Sequence, residues 1–210
     1  MEDLGPAEFI EHCAGGRAGQ ERLLRRLCEV FELRLRRSAE RIVRDPHAAL
    51  DVVQDVLLKA WQSCATFRGD AALWTWLTTI LRRTAFDHLD RIRPSQPLED
   101  ASGEPDPAVE EALRHLANLP DAEQWVSARE GQSLFRTCLE QLRTDDPKAA
   151  AVIVLLAHEQ TSTAELALAL GKTPGATRQY VSHARARARK YFGPWLAWVR
   201  NQTEASHEGR

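Results

Sequence analysis

Apolar residues recur three and four positions apart through the first half of the chain, as Leu23, Leu24, Leu27, Val30, Phe31 and Leu35, and again as Val52, Val53, Val56, Leu57, Ala60 and Trp61. That spacing lines one face of an α-helix, and no strand alternation competes with it. Asp45-Pro46 separates the two runs and reads as a helix stop and restart, because proline is accepted at a helix N-terminus. A third helix is predicted after Phe67-Arg68-Gly69-Asp70, where Gly69 breaks the pattern and Asp70 can cap the new helix. It runs through Trp74, Leu77, Leu81, Phe86 and Leu89 and stops before Pro94. On period alone Trp61 and Trp76 belong to the core, whereas Phe67 and Trp74 are left open between packing and stacking on an unpaired base.

From Pro94 to Pro107 no hydrophobic period can be drawn, and glycine and proline concentrate there, so the stretch reads as a linker. Residues 108–130 are ambiguous: Val109, Leu113 and Leu116 suggest a short helix, but Pro120 interrupts an acidic segment. Beyond it, Leu134 to Leu142 and Ala149 to His158 are two apolar helical stretches able to form a small core.

Ser162-Thr163-Ala164-Glu165 has the form of a capping box, in which hydroxyl and carboxylate each satisfy a backbone donor at a helix start. The short helix through Leu166, Ala167 and Leu170 ends at Gly171, and Thr173-Pro174 begins another, with threonine as cap and proline at the first helical position. Short helix, glycine turn and longer basic helix make a helix-turn-helix. In the second helix, about 174–191, Ala176, Val181, Ala184 and Ala188 are expected to pack inward. Arg178, Gln179, Ser182, His183, Arg185 and Arg189 are left facing out, a set able to meet phosphates and base edges in a major groove. The expected fold is therefore all-α: two small helical domains, 17–93 and 134–200, joined by a linker over 94–133.

Charge sharpens this division. The formal net charge is only −2, but residues 94–133 hold two basic and nine acidic side chains. Residues 171–200 carry Lys172, Arg178, Arg185, Arg187, Arg189, Lys190 and Arg200 with no acid, which is an electrostatic footprint for phosphates. A membrane span is not expected, because the longest apolar run, Ala149 to Ala157, falls far short of the roughly 20 residues needed. The acidic Met1-Glu2-Asp3 start lacks the basic region of a signal peptide, so a cytoplasmic protein is expected. Cys13, Cys28, Cys64 and Cys138 are far apart, with no CxxC pair, and read as reduced, buried or idle thiols.

Taken together, these segments resemble the extracytoplasmic-function (ECF) group of sigma factors, small two-domain members of the sigma-70 family. Phe67-Arg68-Gly69-Asp70-Ala71-Ala72-Leu73-Trp74-Thr75-Trp76-Leu77-Thr78-Thr79-Ile80 is similar to the family's FRGD…TWL..I stretch. Asp45-Pro46 followed by Asp51 to Trp61 resembles its DP…D.VQ[ED].FL.AW helix, and Ser182-His183-Ala184-Arg185 the end of its region 4 recognition helix. The resemblance covers roughly residues 20–93 as region 2 and 134–192 as region 4.

The resemblance implies a division of labour. Asp51, Gln54, Asp55 and Leu58 would dock on the coiled coil of the RNA polymerase β′ subunit, with region 4 near the β flap. Phe67, Arg68, Gly69, Asp70, Trp74, Trp76, Ile80 and Arg83 would take a flipped base of the melted minus-ten element. Thr173, Arg178, Gln179, Ser182, His183, Arg185 and Arg189 would read the minus-thirty-five element as duplex DNA. The acidic linker would thread toward the active-site cleft. Where the family carries an acidic cluster before the VVQ, Ala48-Ala49-Leu50-Asp51 keeps one acid. Ser63 and Thr66 are accordingly candidate phosphorylation sites for a Ser/Thr kinase, a phosphate restoring about −1.5 to −2 of charge. Sequestration by an anti-sigma factor is the other candidate control.

A second reading is a stand-alone helix-turn-helix regulator of duplex DNA, which would footprint without polymerase. An enzyme is not expected: the seven histidines are scattered, and HExxH, a Gly-rich phosphate loop and GxSxG are all missing. No cofactor is expected.

Overall fold

In the computed structural model, residues 4–92, 124–158 and 161–208 are described, and all regular structure among them is helical. The contacts divide the chain into two units, Met1–Ile92 with Ala167–Gly171, and Arg93–Leu166 with Lys172–Arg210. No helix among the described residues is long and apolar enough to cross a membrane.

The first unit opens with α1 (Pro6–Ala14), which the apolar period does not reveal, and continues with α2 (Gly16–Val43), α3 (Pro46–Gln62) and α4 (Leu73–Ile92). A single 3-10 turn, Cys64–Thr66, comes directly after α3. The inward stripes are those the period predicts: Leu23, Leu27, Phe31 and Leu35 of α2 meet Val52, Val53, Val56, Leu57 and Ala60 of α3 and Leu77, Leu81 and Leu89 of α4, all buried. Each buried Leu or Val contributes about 1.5–3 kcal/mol relative to exposure, so this stripe is the main stabilising term. Two buried hydroxyls are bonded: Lys59 Nζ donates to Thr84 Oγ1 at 3.0 Å, and Arg41 donates to Ser38 Oγ at 3.0 Å.

Helix α2 ends as the sequence suggests. Arg44 adopts a left-handed φ of 59° and its amide donates to the Glu40 carbonyl, turning the chain so that Asp45 caps α3. Asp45 Oδ1 accepts from the amides of His47 and Ala48, both at 2.8 Å. The bond from Ala48 above all, with that from His47, holds the Asp45 carboxyl below its ordinary value.

The second unit contains α5 (Gln124–Asp145), α6 (Pro147–His158), the second half of the helix-turn-helix within α8 (Pro174–Glu208), and the start of α7 (Thr163–Leu170). Helix α5 starts at Gln124, inside the stretch expected to be linker. Gly131 is buried where an added Cβ would run into the Trp198 ring, so the helix needs glycine there to let the indole in. Phe135, Phe192 and Trp195 form an aromatic cluster with ring centroids 5.2, 5.2 and 5.9 Å apart. The apolar α6 is buried almost all round, from Ala149 to Leu155. Residues 108–123 of the ambiguous segment 108–130, and the linker tract from Pro94, lie outside the described residues.

One correction concerns the cysteines. Cys13 and Cys64 are joined as a disulfide across 51 positions, with Cα atoms 5.9 Å apart, although spacing suggested four thiols. Only Cys28 and Cys138 are free, and burial pushes both thiols up from their ordinary pKa.

Candidate nucleic-acid and polymerase interfaces

Residues 51, 54, 55 and 58 are spaced by three, four and seven, so α3 carries them on one stripe. The opposite stripe, Val52, Val53, Val56 and Ala60, is in the core, which turns this one to solvent. Asp51, Gln54 and Leu58 are exposed and Asp55 is half-buried. Leu58 is 45% exposed, an apolar residue one turn beyond Asp55. Asp55 lies 4.0 Å from Arg91, an exposed pair of little energetic weight. Just beyond the helix, Ser63 and Thr66 are already bonded: the Ser63 hydroxyl donates to the Lys59 carbonyl and the Thr66 hydroxyl to the Ser63 carbonyl.

The loop after the 3-10 turn divides its residues into two kinds. Arg68, Gly69 and Asp70 are exposed, as is Arg83 on α4, and Ile80 is half-buried. Phe67 is 7% exposed. It packs against Trp76, centroids 5.4 Å apart, and both rings meet Phe9 of α1 edge-on, at 5.2 and 5.5 Å. Phe9 is fully buried in this triangle. Trp74 is half-buried, stacked on Phe31 at 6.2 Å with the Arg34 guanidinium 4.2 Å from its ring centroid. Trp61 is also half-buried, its indole N–H donating to the Gln20 carbonyl at 3.1 Å. Asp70 does not cap α4. The helix starts at Leu73, three residues on, and the Ala72 carbonyl accepts its first bonds.

The predicted caps of α7 and α8 are present. Ser162 Oγ accepts from the Glu165 amide at 3.2 Å, and Glu165 Oε2 accepts from the Ser162 amide at 2.8 Å. Gly171 makes the turn at φ +62°, a left-handed conformation that favours glycine, and Thr173 Oγ1 accepts from the Ala176 amide at 3.3 Å. Thr173, Arg178 and Gln179 are exposed and Ser182, Arg185 and Arg189 half-buried.

Two positions on this helix differ from the expected faces. His183 is 5% exposed and therefore does not present its ring to a groove. Ala176 is exposed, and Thr177 takes the inward place. Thr177, Val181, Ala184 and Ala188 form the buried stripe, the Thr177 hydroxyl satisfied by the Thr173 carbonyl at 2.9 Å. Arg187, on the flank beside His183, is paired with Asp146 at the start of α6, and this contact draws that flank inward. The sequence reading missed Phe9, Arg34 and Asp146, all of which act through contacts distant in the chain.

Among the described residues, no group of three or more histidine, cysteine, aspartate or glutamate side chains gathers to hold a metal ion.

A profile described as sigma-70 region 2 matches residues 27–94 of this chain. The RNA polymerase sigma-H factor of Pseudomonas aeruginosa is 28% identical over 156 residues, 74% of this chain and 79% of that protein. The ECF RNA polymerase sigma factor SigL of Mycobacterium tuberculosis is 30% identical over 175 residues, 81% of this chain and 89% of its own length. SigG of the same organism is 33% identical over 154 residues, although the chain spans only 40% of that relative's length.

Proposed function

The chain belongs to the extracytoplasmic-function sigma factors of the sigma-70 family, and from that membership we propose that it is a promoter-specificity subunit acting in the cytoplasm on core RNA polymerase. The outward stripe of α3 carries the proposal. Asp51, Gln54, Asp55 and Leu58 are turned to solvent together, with an exposed leucine among acids where a helical partner surface can bury the apolar side chain and pair the charges.

Promoter DNA is engaged at two places in this reading. The minus-ten element, melted, meets the loop from Phe67 to Leu73 and α4, where Arg68 and Arg83 are exposed for phosphates and the Phe67–Trp76 pair, packed here against Phe9, would stack on a flipped base once that ring is displaced. The minus-thirty-five element, as duplex, meets the start of α8. There Lys172, Thr173 and Arg178 lie beside backbone phosphates and Gln179 reaches a base edge. The linker's excess of acids keeps it off free DNA and suits it to a positively charged channel.

Control by phosphorylation or by an anti-sigma partner belongs to the same reading. Thr66 is exposed, and a phosphate there would break its bond to the Ser63 carbonyl and add negative charge beyond the docking helix. If alanine or aspartate at both Ser63 and Thr66 left transcription and polymerase binding unchanged, this control would be ruled out.

Run-off transcription with purified core polymerase on a genomic fragment library tests the function. A sigma factor gives transcripts only with core present and protects duplex promoter weakly alone. A stand-alone regulator footprints by itself and adds no transcripts.

A further inference from the structure

Helix α1 sits on the part of the first unit that the proposed function gives to DNA. Its one buried side chain, Phe9, fills the angle between Phe67 and Trp76, and Ile10 lies over the loop, with a Cβ at Gly69 falling 3.6 Å from Ile10 Cδ1. A base stacking on Phe67 or Trp76 would need the space Phe9 occupies. Beyond this ring, α1 packs along α2 and against the 3-10 turn. Glu8 pairs with Arg26 at 3.2 Å, partly exposed, and the α1 backbone at His12 closes on Gly19. The remaining tie is covalent: Cys13, in the last turn of α1, to Cys64, three residues before Phe67.

We propose that Cys13 and Cys64 form a redox-modified thiol pair that fastens α1 over the Phe67–Trp76 aromatic pair when oxidised and releases it when reduced. The proposal rests on the minus-ten role given to that pair above. A cytoplasmic protein meets a reducing environment in which lasting structural disulfides are rare and transient, sensing ones are the rule. The pair is also the one place where a disulfide ties a separate helix to the loop. Cys28 and Cys138, with thiols pushed up by burial, remain free.

The chemistry is thiol–disulfide exchange. On closing, a disulfide oxidant of the glutathione class is attacked by one thiolate and loses one thiol. The second thiolate then attacks the mixed disulfide and expels the other. The cysteines give up two electrons and two protons, and the oxidant leaves as two thiols. On opening, a dithiol reductant attacks the pair, Cys13 being the more open of the two since Cys64 is 5% exposed. The reductant's second thiol resolves the mixed disulfide, and the reductant leaves as its own disulfide. With the tie cut, α1 competes with DNA for the aromatic pair only through non-covalent contacts, Phe9 and its packing on α2.

The test uses the full chain, oxidised with glutathione disulfide or reduced with dithiothreitol, beside Cys13→Ser, Cys64→Ser and Phe9→Ala. Hydrogen exchange of residues 6–14 reads the fastening, and transcription with core polymerase reads its consequence. Reduction is expected to speed exchange in α1 and raise transcription about tenfold. Both serine variants should behave as the reduced protein under either condition, and oxidised Phe9→Ala should transcribe well with the disulfide intact. Exchange in α1 that ignores reduction overturns the proposal, as does transcription that is equal in both states or falls on reduction. Thermal unfolding of each variant separates loss of fold from loss of control. If no form transcribes, the promoter-subunit reading fails, and the exchange measurement still decides the fastening by itself.

Discussion

Arg187, in the basic helix of the helix-turn-helix, pairs with Asp146, whose other oxygen accepts the Ala149 amide at 2.9 Å. One carboxylate thus caps α6 and anchors α8. Removing it strips both roles, so Asp146→Ala is expected to cost about 1–3 kcal/mol in urea unfolding. With its guanidinium held by Asp146, Arg187 is not expected to contact DNA. Arg178→Ala should lower the slope of log affinity against log salt by about 1, whereas Arg187→Ala should leave that slope unchanged.

Arg34 and Trp74 form a second relation with a functional reading. The guanidinium 4.2 Å above the indole, together with Phe31, fixes Trp74 beside the exposed loop. Arg34→Ala should cost about 0.5–1 kcal/mol, red-shift tryptophan emission, and slow open-complex formation more than polymerase binding. Equal loss in both steps would mean that the pair serves the fold alone.

Leu58 makes the docking proposal selective. Because it is 45% exposed on the solvent face of α3, Leu58→Asp should leave the unfolding free energy within about 0.5 kcal/mol of the parent. Retention on immobilised core polymerase should nonetheless fall at least about tenfold, since an interface anchor is worth about 2 kcal/mol or more.

Acid should weaken the cap of α3 in a defined direction. The folded-state pKa of Asp45 is depressed, chiefly by the Ala48 amide, so its contribution is full above the unfolded-state pKa and disappears as pH falls through the folded one. Asp45→Asn keeps the side-chain oxygen acceptor and removes the titration. Its urea midpoint should therefore decline less steeply with acidification than the parent's, whereas parallel curves would assign the acid sensitivity to other carboxylates.

Much of the architecture was legible because local and long-range forces agree. Leu23, Leu27, Phe31 and Leu35 are inward by period and buried in fact, with Leu24 and Val30 half-buried beside them, and Ser162 and Glu165 cap each other as their spacing requires. The features that escaped depend on partners remote in sequence. Helix α1 has nine residues and one buried side chain, too little period to register, and its identity as an element comes from Phe67, Trp76 and Cys64. A separation of 51 residues gives no sign that Cys13 and Cys64 meet. His183 faces out by period but is buried, on a flank that Arg187 ties to Asp146.

The most direct measurement is run-off transcription by core polymerase from a genomic fragment library, with and without the purified, reduced protein. Discrete transcripts that require the protein, and that vanish with Leu58→Asp, are the result expected. Core polymerase that neither retains the protein nor gains a single start site from it would contradict the account.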